Sequence, residues 1–299
     1  YQEEFYPSPI QNTWKEFKEN HAALMSLYCV IFFIFVMIFG PLLAPFDPLQ
    51  QHIEFLLVPP AWDNNGDISH LFGTDGLGRD MLSRIIYGCR MTFGISLVLV
   101  IISMLIGVSL GAMAGMSKGL RSSVVNHLLD SIMAIPTLLI AIIIIAIVGT
   151  GLVNSMWAIS LALIPQFIHQ TRDIVRQKMK KEYVLAAQLD GAGKVHIFFN
   201  SILPNMAEML VVQVTLALSV AILDISALGF LNLGAQAPSP ELGALLSEGL
   251  ASAYVAPWNI AMPGAAIFLM MMSINLVGDA YYRRPHDLAR PRLINHVSA

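Results

Sequence analysis

The chain is expected to be an all-α, polytopic membrane protein with six transmembrane helices, and three observations predict it. First, 56% of its 299 residues are hydrophobic and only 12% are charged, far too apolar a balance for an ordinary soluble domain. Second, residues 20–46, 91–117, 131–171 and 249–278 contain no Asp, Glu, Lys or Arg, and a helix needs about 20 residues to cross the hydrocarbon core. The run 131–171 has room for two crossings, with Gly149, Thr150 and Gly151 as the break. Residues 206–233 supply another, interrupted by Glu208 and Asp224. Third, with the amino terminus inside, every one of the 17 basic residues except Arg79, Arg84 and Arg90 falls on the cytoplasmic side, as the positive-inside rule requires. This divides the chain into a cytoplasmic segment 1–21, a membrane domain 22–280 and a cytoplasmic tail 281–299. Within the domain, 47–90 is an outer segment and 172–205 a cytoplasmic loop.

Residues 13–18 read as a short interfacial helix carrying Trp14 and Phe17 at headgroup level. The first apolar run is too long for a signal-peptide core and lacks a small-residue cleavage site, so it is expected to be retained as an anchor. The outer segment is acidic, and Pro59-Pro60 with Asp63-Asn64-Asn65-Gly66 argue for ordered turns. Within it, Gly73, Gly76 and Gly78 permit a tight turn that Asp75, Arg79 and Asp80 can tie by charge-assisted hydrogen bonds. A structural clasp and a turn that contacts a captured substrate, or a protein that delivers it, are both open readings. Charges paired in turns are usually satisfied locally, which favours the clasp.

Gly107, Gly111 and Gly115 follow one another at four-residue spacing, a stripe of small residues that lets another helix backbone approach. Pro136 is expected to kink the third span. Asp130, near its inner end, is a salt-bridge anchor or a gate residue. The basic run Arg172, Arg176, Lys178, Lys180, Lys181 is explained by orientation. Residues 182–190 form a short helix that Gly191 and Gly193 can end. A second short segment then runs to Pro204, which is expected to open the next long helix. Two short helices around a glycine elbow make a compact knob, the expected point of contact with a partner. Asp224, inside the fifth span, either meets a polar substrate or is held by a neighbouring helix. Trp258 starts the sixth span, and Met270, Met271 and Met272 read as flexible filler. Cys29 and Cys89 do not suggest a disulfide framework.

Three of these stretches carry a resemblance. Glu182, the pair Ala186-Ala187, Gly191 four positions on, and Leu203-Pro204 resemble the "EAA" loop of membrane subunits of ATP-binding-cassette importers. Leu185, Gln188 and Ser201 depart from that pattern. Gly73-Thr74-Asp75-x-x-Gly78-Arg79-Asp80 resembles a signature of the dipeptide and oligopeptide permeases. Residues 227–240 are similar to a Leu-Ser-Phe-Leu-Gly-Leu-Gly segment of the same family, with Asn232, Leu242 and Ile225 departing from it. Residues 221–225, 228–231 and 254–258 are most similar to the Sap branch. The resemblance implies a permease subunit in a bacterial inner membrane, working with a second, different permease, two ATPase subunits and an outer substrate-binding protein. It implies that the Glu182 loop fits a cleft on the ATPase, and that ATP and Mg are bound by the partners rather than by this chain.

The residues themselves agree on one point: no motor is visible in this chain. A phosphate-cradling loop needs Gly-x4-Gly-Lys-Ser/Thr, and Gly193-Lys194 has Gln188 and Val195 where Gly and Ser/Thr are required. The eight histidines show no close metal-ligand pairing. A net charge of −3 gives no reason to expect nucleic acid as a partner. Two other readings stay open. One is a gradient-driven carrier with Asp130, Asp224 and Asp279 as proton relays, and the other is a membrane scaffold that moves nothing. Peptides, a polyamine and haem all fit as cargo.

Overall fold

A computed structural model describes residues 20–117 and 129–282. The expected interfacial helix at 13–18 and the tail from 283 lie outside the described residues. Among the described residues there are helices and turns and no strand. In chain order the helices are α1 (His21–Leu43), α2 (Met81–Gly115), α3 (Thr137–Val148), α4 (Leu152–Lys178), α5 (Glu182–Leu189), α6 (Lys194–Phe230), α7 (Leu242–Leu250) and α8 (Trp258–Tyr282). Five of them, α1, α2, α4, α6 and α8, are long and apolar enough to cross a membrane. Their large apolar side chains, among them Phe32, Leu42, Leu105, Leu161 and Phe268, stand exposed, as a lipid-facing surface requires.

The expected third span is a shorter object. Residues 129–133 are helical, the chain turns, and α3 then runs for 12 residues, about 18 Å against a hydrocarbon core of about 30 Å. Pro136 does not kink a continuous helix here. It caps α3 at its start, where its fixed φ and missing N–H are tolerated. The expected break at 149–151 is present: Gly149 and Gly151 take φ of 101° and 136°, and α4 begins at Leu152.

Three boundaries differ from the sequence reading, each for a local reason. α2 begins ten residues before the charge-free run, because Asp80 caps it by accepting from Ser83 N–H and the charge of Arg84 is neutralised within the fold. The last outer loop contains a helix, α7, started by Glu241 accepting from Ala244 N–H at 3.0 Å. Pro204 stands, as expected, in the first turn of the long α-helical part of α6, which starts at Leu203, but that part continues without a break from the short helix before it. Ahead of the proline the helix widens over Phe198–Ile202, and Leu203 N–H reaches back to Phe198 O. A wider turn of this kind accommodates a ring that cannot donate and would crowd the preceding carbonyls.

The most extensive helix pair is α2 with α4, and the glycine stripe explains it. A Cβ on Gly111 would lie 2.7 Å from Ile168 O, and one on Gly115 2.8 Å from Arg172 O. The stripe therefore brings α4 backbone onto α2. The buried apolar residues form two separate cores. The larger joins α1, α2, α3, α4, α6, α7 and α8 through residues such as Phe93, Leu99, Ile145, Leu163, Ile222 and Met270. The smaller holds Ala112, Val175, Val184, Ile197, Phe198, Ile202 and Met206. The 35 residues of α2 span about 50 Å. The Asp80 turn sits at one end and the smaller core at the other.

Candidate functional site

At the far end of α2 the chain makes the elbow that the sequence reading singled out. α5 ends in a two-bond closure: Gly191 N–H donates to Gln188 O at 3.1 Å and Ala192 N–H to Ala187 O at 3.0 Å. That pattern requires a left-handed residue between them, and Gly191 supplies it with φ of 81°. Gly193, at φ −68°, is an ordinary cap of α6. The elbow has two faces. Val184, Ile197, Phe198 and Ile202 are buried in the smaller core against Ala112 of α2 and Val175 of α4, with Ala187 and Leu203 packed alongside. On the other side Leu185, Leu189, Val195 and Phe199 are exposed, Leu189 to 89%. Glu182, Ala186, Gly191 and Pro204 are exposed as well. The elbow thus presents exposed apolar side chains on a turn that is anchored in the smaller core.

At the opposite end the Gly73 to Asp80 turn is a clasp. Thr74 and Asp80 pair across it, and Gly73 and Gly78 take φ of 77° and 72°. Gly78 lies directly against His52 O, leaving no room for a side chain. Gly76 meets nothing within 4 Å and has no such φ, so the turn does not depend on it. Asp75 is the hub. Its Oδ1 accepts from Leu77 N–H and Arg79 N–H, both at 2.9 Å, and its Oδ2 from Arg79 Nε and Arg84 NH1, both at 2.6 Å. Asp80 does not join this pair. It accepts from His70 Nδ1 at 3.0 Å and from Ser83, tying the turn to α2. Thr74 donates to Phe55 O, and the indole of Trp258 donates to Thr74 O at 3.1 Å.

The clasp is closed by residues that the sequence reading had not connected to it. Glu248 of α7 sits 2.5 Å from Arg79 NH2 and 2.9 Å from Arg84 NH2. Two guanidinium groups thus share two carboxylates, and the charges balance. Beside this cluster is a cavity of about 520 Å³, lined by Asp75, Arg79, Arg84, Glu248 and Asn259 among others. The sequence signal for Arg84 and Glu248 was that each is a lone charge in a largely uncharged stretch.

The two candidate pathway carboxylates lie apart. Asp130, half-exposed, meets His169 Nε2 at 3.3 Å, and His169 Nδ1 lies 3.7 Å from Asp173. Asp224 is buried and accepts from Thr137 Oγ1, the first residue of α3, at 2.8 Å. Among the described residues no hydrogen bond or ion pair joins Asp130, Asp224 and Asp279. Another buried carboxyl, Glu241, accepts from Thr92 Oγ1 at 2.9 Å as well as from Ala244 N–H. Burial pushes it above the usual carboxylate range, against the lowering effect of those bonds. No group of three or more His, Cys, Asp or Glu among the described residues is placed to hold a metal ion.

Comparison with known proteins places this architecture. Residues 107–285 match the family model of the binding-protein-dependent transport system inner membrane component. Residues 8–60 match that of the N-terminal TM domain of oligopeptide transport permease C. The chain is 44% identical over 283 residues to the peptide transport system permease protein SapC of Shigella flexneri, covering 95% of this chain and 96% of that one. It is 41% identical over 290 residues to the di/tripeptide transport system permease protein DppC of Pseudomonas aeruginosa, covering 97% and 94%. A solved structure of the MetNI methionine ABC transporter, in an inward-facing conformation, superposes with a TM-score of 0.56 at 17% identity. It covers 70% of this chain and 98% of the matched chain, and shares the fold. The chain belongs to the family of binding-protein-dependent transport system inner membrane components.

Proposed function

We propose that the chain is one of two different permease subunits of an ATP-driven importer of peptides, and that its α5–α6 elbow docks onto a separate ATPase subunit. The observation that carries this reading is the elbow's two-sided construction. One side is an exposed apolar surface, and the other is a buried anchor on α2 and α4. Force applied to Leu185, Leu189, Val195 and Phe199 passes through Val184, Ile197 and Ile202 to the far ends of α2 and α4. Those two helices move together because the glycine stripe leaves no gap between them. α2 ends in the clasp, so a movement begun at the elbow is delivered to the opposite side of the bundle. Peptide as the cargo is supported by the names of the relatives.

In this reading the elbow and both termini are cytoplasmic, the clasp is outside, and α3 with the helical stretch 129–133 contributes a sixth crossing. A second permease, two ATPases that bind ATP and Mg, and an outer substrate-binding protein complete the complex. Glu182, Ala186, Gly191 and Pro204, all exposed, belong to the coupling surface, and Ala187 and Leu203 join it to its anchor. The test is uptake of a labelled tripeptide by proteoliposomes holding the complex purified through this chain. Uptake that needs ATP, with the isolated chain inert, is expected. Uptake without ATP that an uncoupler abolishes identifies a gradient-driven carrier instead, and ATP hydrolysis without flux identifies a scaffold.

A further inference from the structure

We infer that the carboxylate of Asp224 is a binding point for a primary ammonium group on the transport path. The importer reading supplies the source of that group, the amino terminus of a peptide, whereas the site itself stands on geometry. Thr137, the first residue of α3, donates to Asp224 Oδ2 at 2.8 Å. From there α3 runs for 12 residues, about 18 Å, to the break at Gly149, and Gly151 N–H meets Leu233 O just past the end of α6. In a hydrocarbon core of about 30 Å the carboxylate is therefore near the middle. At that depth a carboxylate is costly, and it faces protein or a watery cavity rather than lipid.

Asp224 is under-satisfied in two respects. It has no cation: Thr137 is its one hydrogen-bonding or ionic partner among the described residues. Its Oδ1 has no partner at all, yet it is not sealed in as the unpaired Ser226 Oγ is. Close by, Leu223 is half-exposed, and Ile132, Met133 and Ile135, just ahead of Thr137, are exposed too. One carboxylate oxygen thus reaches an open face at mid-membrane depth, which makes that face a path or a partner surface rather than a lipid surface. α6 is continuous from the elbow to Asp224, while Thr137 belongs to α3, which packs chiefly on α4. A shift of α6 against α3 widens or closes access to the carboxylate.

Charge and geometry select the ligand. A lone anion without a counter-ion calls for a monovalent cation. Because Thr137 occupies Oδ2, a guanidinium, which pairs best through both oxygens, fits less well than an ammonium, a point charge with three donors. A metal ion takes several oxygen ligands, and no group of three or more His, Cys, Asp or Glu among the described residues is placed to hold one.

The test is ATP-driven uptake of labelled trialanine and of labelled N-acetyl-trialanine, whose amino group is blocked, by the complex in proteoliposomes. The unsubstituted complex should prefer trialanine. Asp224→Asn should cut that preference about tenfold, the worth of about one charge-assisted hydrogen bond, and Asp224→Glu should keep it. Asn still accepts the Thr137 hydroxyl through its amide oxygen, so a merely structural role leaves the preference untouched. Any selectivity of an outer binding protein enters all three complexes alike. An unchanged preference in Asp224→Asn overturns the inference, and so does equal loss of both peptides, in favour of a proton relay or a structural role. Binding is read separately in nanodiscs by maleimide labelling of Ala227→Cys, one turn along α6 and partly exposed, in a Cys29→Ser, Cys89→Ala background. Trialanine should slow the labelling and N-acetyl-trialanine should not; equal protection, or a cysteine that never reacts, overturns the site. Flux with an unchanged preference discards the site and keeps the importer, whereas selective protection without ATP-driven flux keeps the site and discards the importer.

Discussion

Gly191→Val tests the lever at one backbone angle. Gly191 has φ of 81°, and no atom of this chain lies within 4 Å of where a Cβ would be, so within the chain crowding contributes nothing and conformational strain is the effect. Holding an L-residue in the left-handed region costs about 1–2 kcal/mol, more for a β-branched side chain. That is a shift of about 5–30-fold in the ratio of closed to opened elbow. The bonds from Gly191 and Ala192 N–H to Gln188 and Ala187 O are those that open. In proteoliposomes, peptide imported per ATP hydrolysed should fall while assembly of the complex is retained. Gly191→Asn should fall less, because Asn tolerates this conformation. The matched control is Gly193→Ser, two residues away and equally uncrowded but at φ −68°, where Ser is a good cap; it should couple as the unsubstituted chain does. Equal coupling in Gly191→Val and Gly193→Ser refutes the reasoning.

Three further outcomes follow from the packing and the buried charges. Gly111→Val places side-chain atoms against Ile168 O and Thr171 and should destabilise the α2–α4 pair by about 1–3 kcal/mol, read as a lower melting temperature in detergent. Arg84→Met leaves Asp75 and Glu248 short of a cation. Breaking a buried pair costs about 3–5 kcal/mol, and the lower end applies because Arg79 still serves both carboxylates; melting and retention of the complex during purification both report it. Glu241→Gln should remove a pH dependence. Because burial raises the Glu241 pKa, the folded chain keeps that proton to higher pH than the unfolded one. Its contribution therefore favours folding at low pH and is lost as pH rises from the ordinary glutamate value through the raised one. Melting curves across that window should flatten in the variant.

The membrane-crossing helices were legible because absence of charge over about 20 residues is a local property, and so was the elbow, whose glycines and short helices are contiguous. What escaped was non-local. The start of α2 was hidden by Arg84, a charge that ends a span on paper but is neutralised in the fold by Glu248, 164 positions further along. α7 was read as loop because its apolar run is only a few turns long, and its burial depends on α6 and α8. At the clasp, the pairing of Asp75 with Arg79 could be read at i,i+4, whereas the closing contact from Glu248 could not. Pro204 does mark the start of the long α-helical part of α6, whereas the widened turn that joins it to the short helix before it has no composition signal of its own.

The account stands on the elbow meeting a separate ATPase, and photocrosslinking from Leu189, 89% exposed at its tip, tests that most directly. With a photoreactive residue at Leu189 in the intact complex, the predicted result is one adduct, to a nucleotide-binding subunit, whose yield changes when ATP is added. An adduct to no other subunit, or labelling of this position from outside sealed cells, contradicts it.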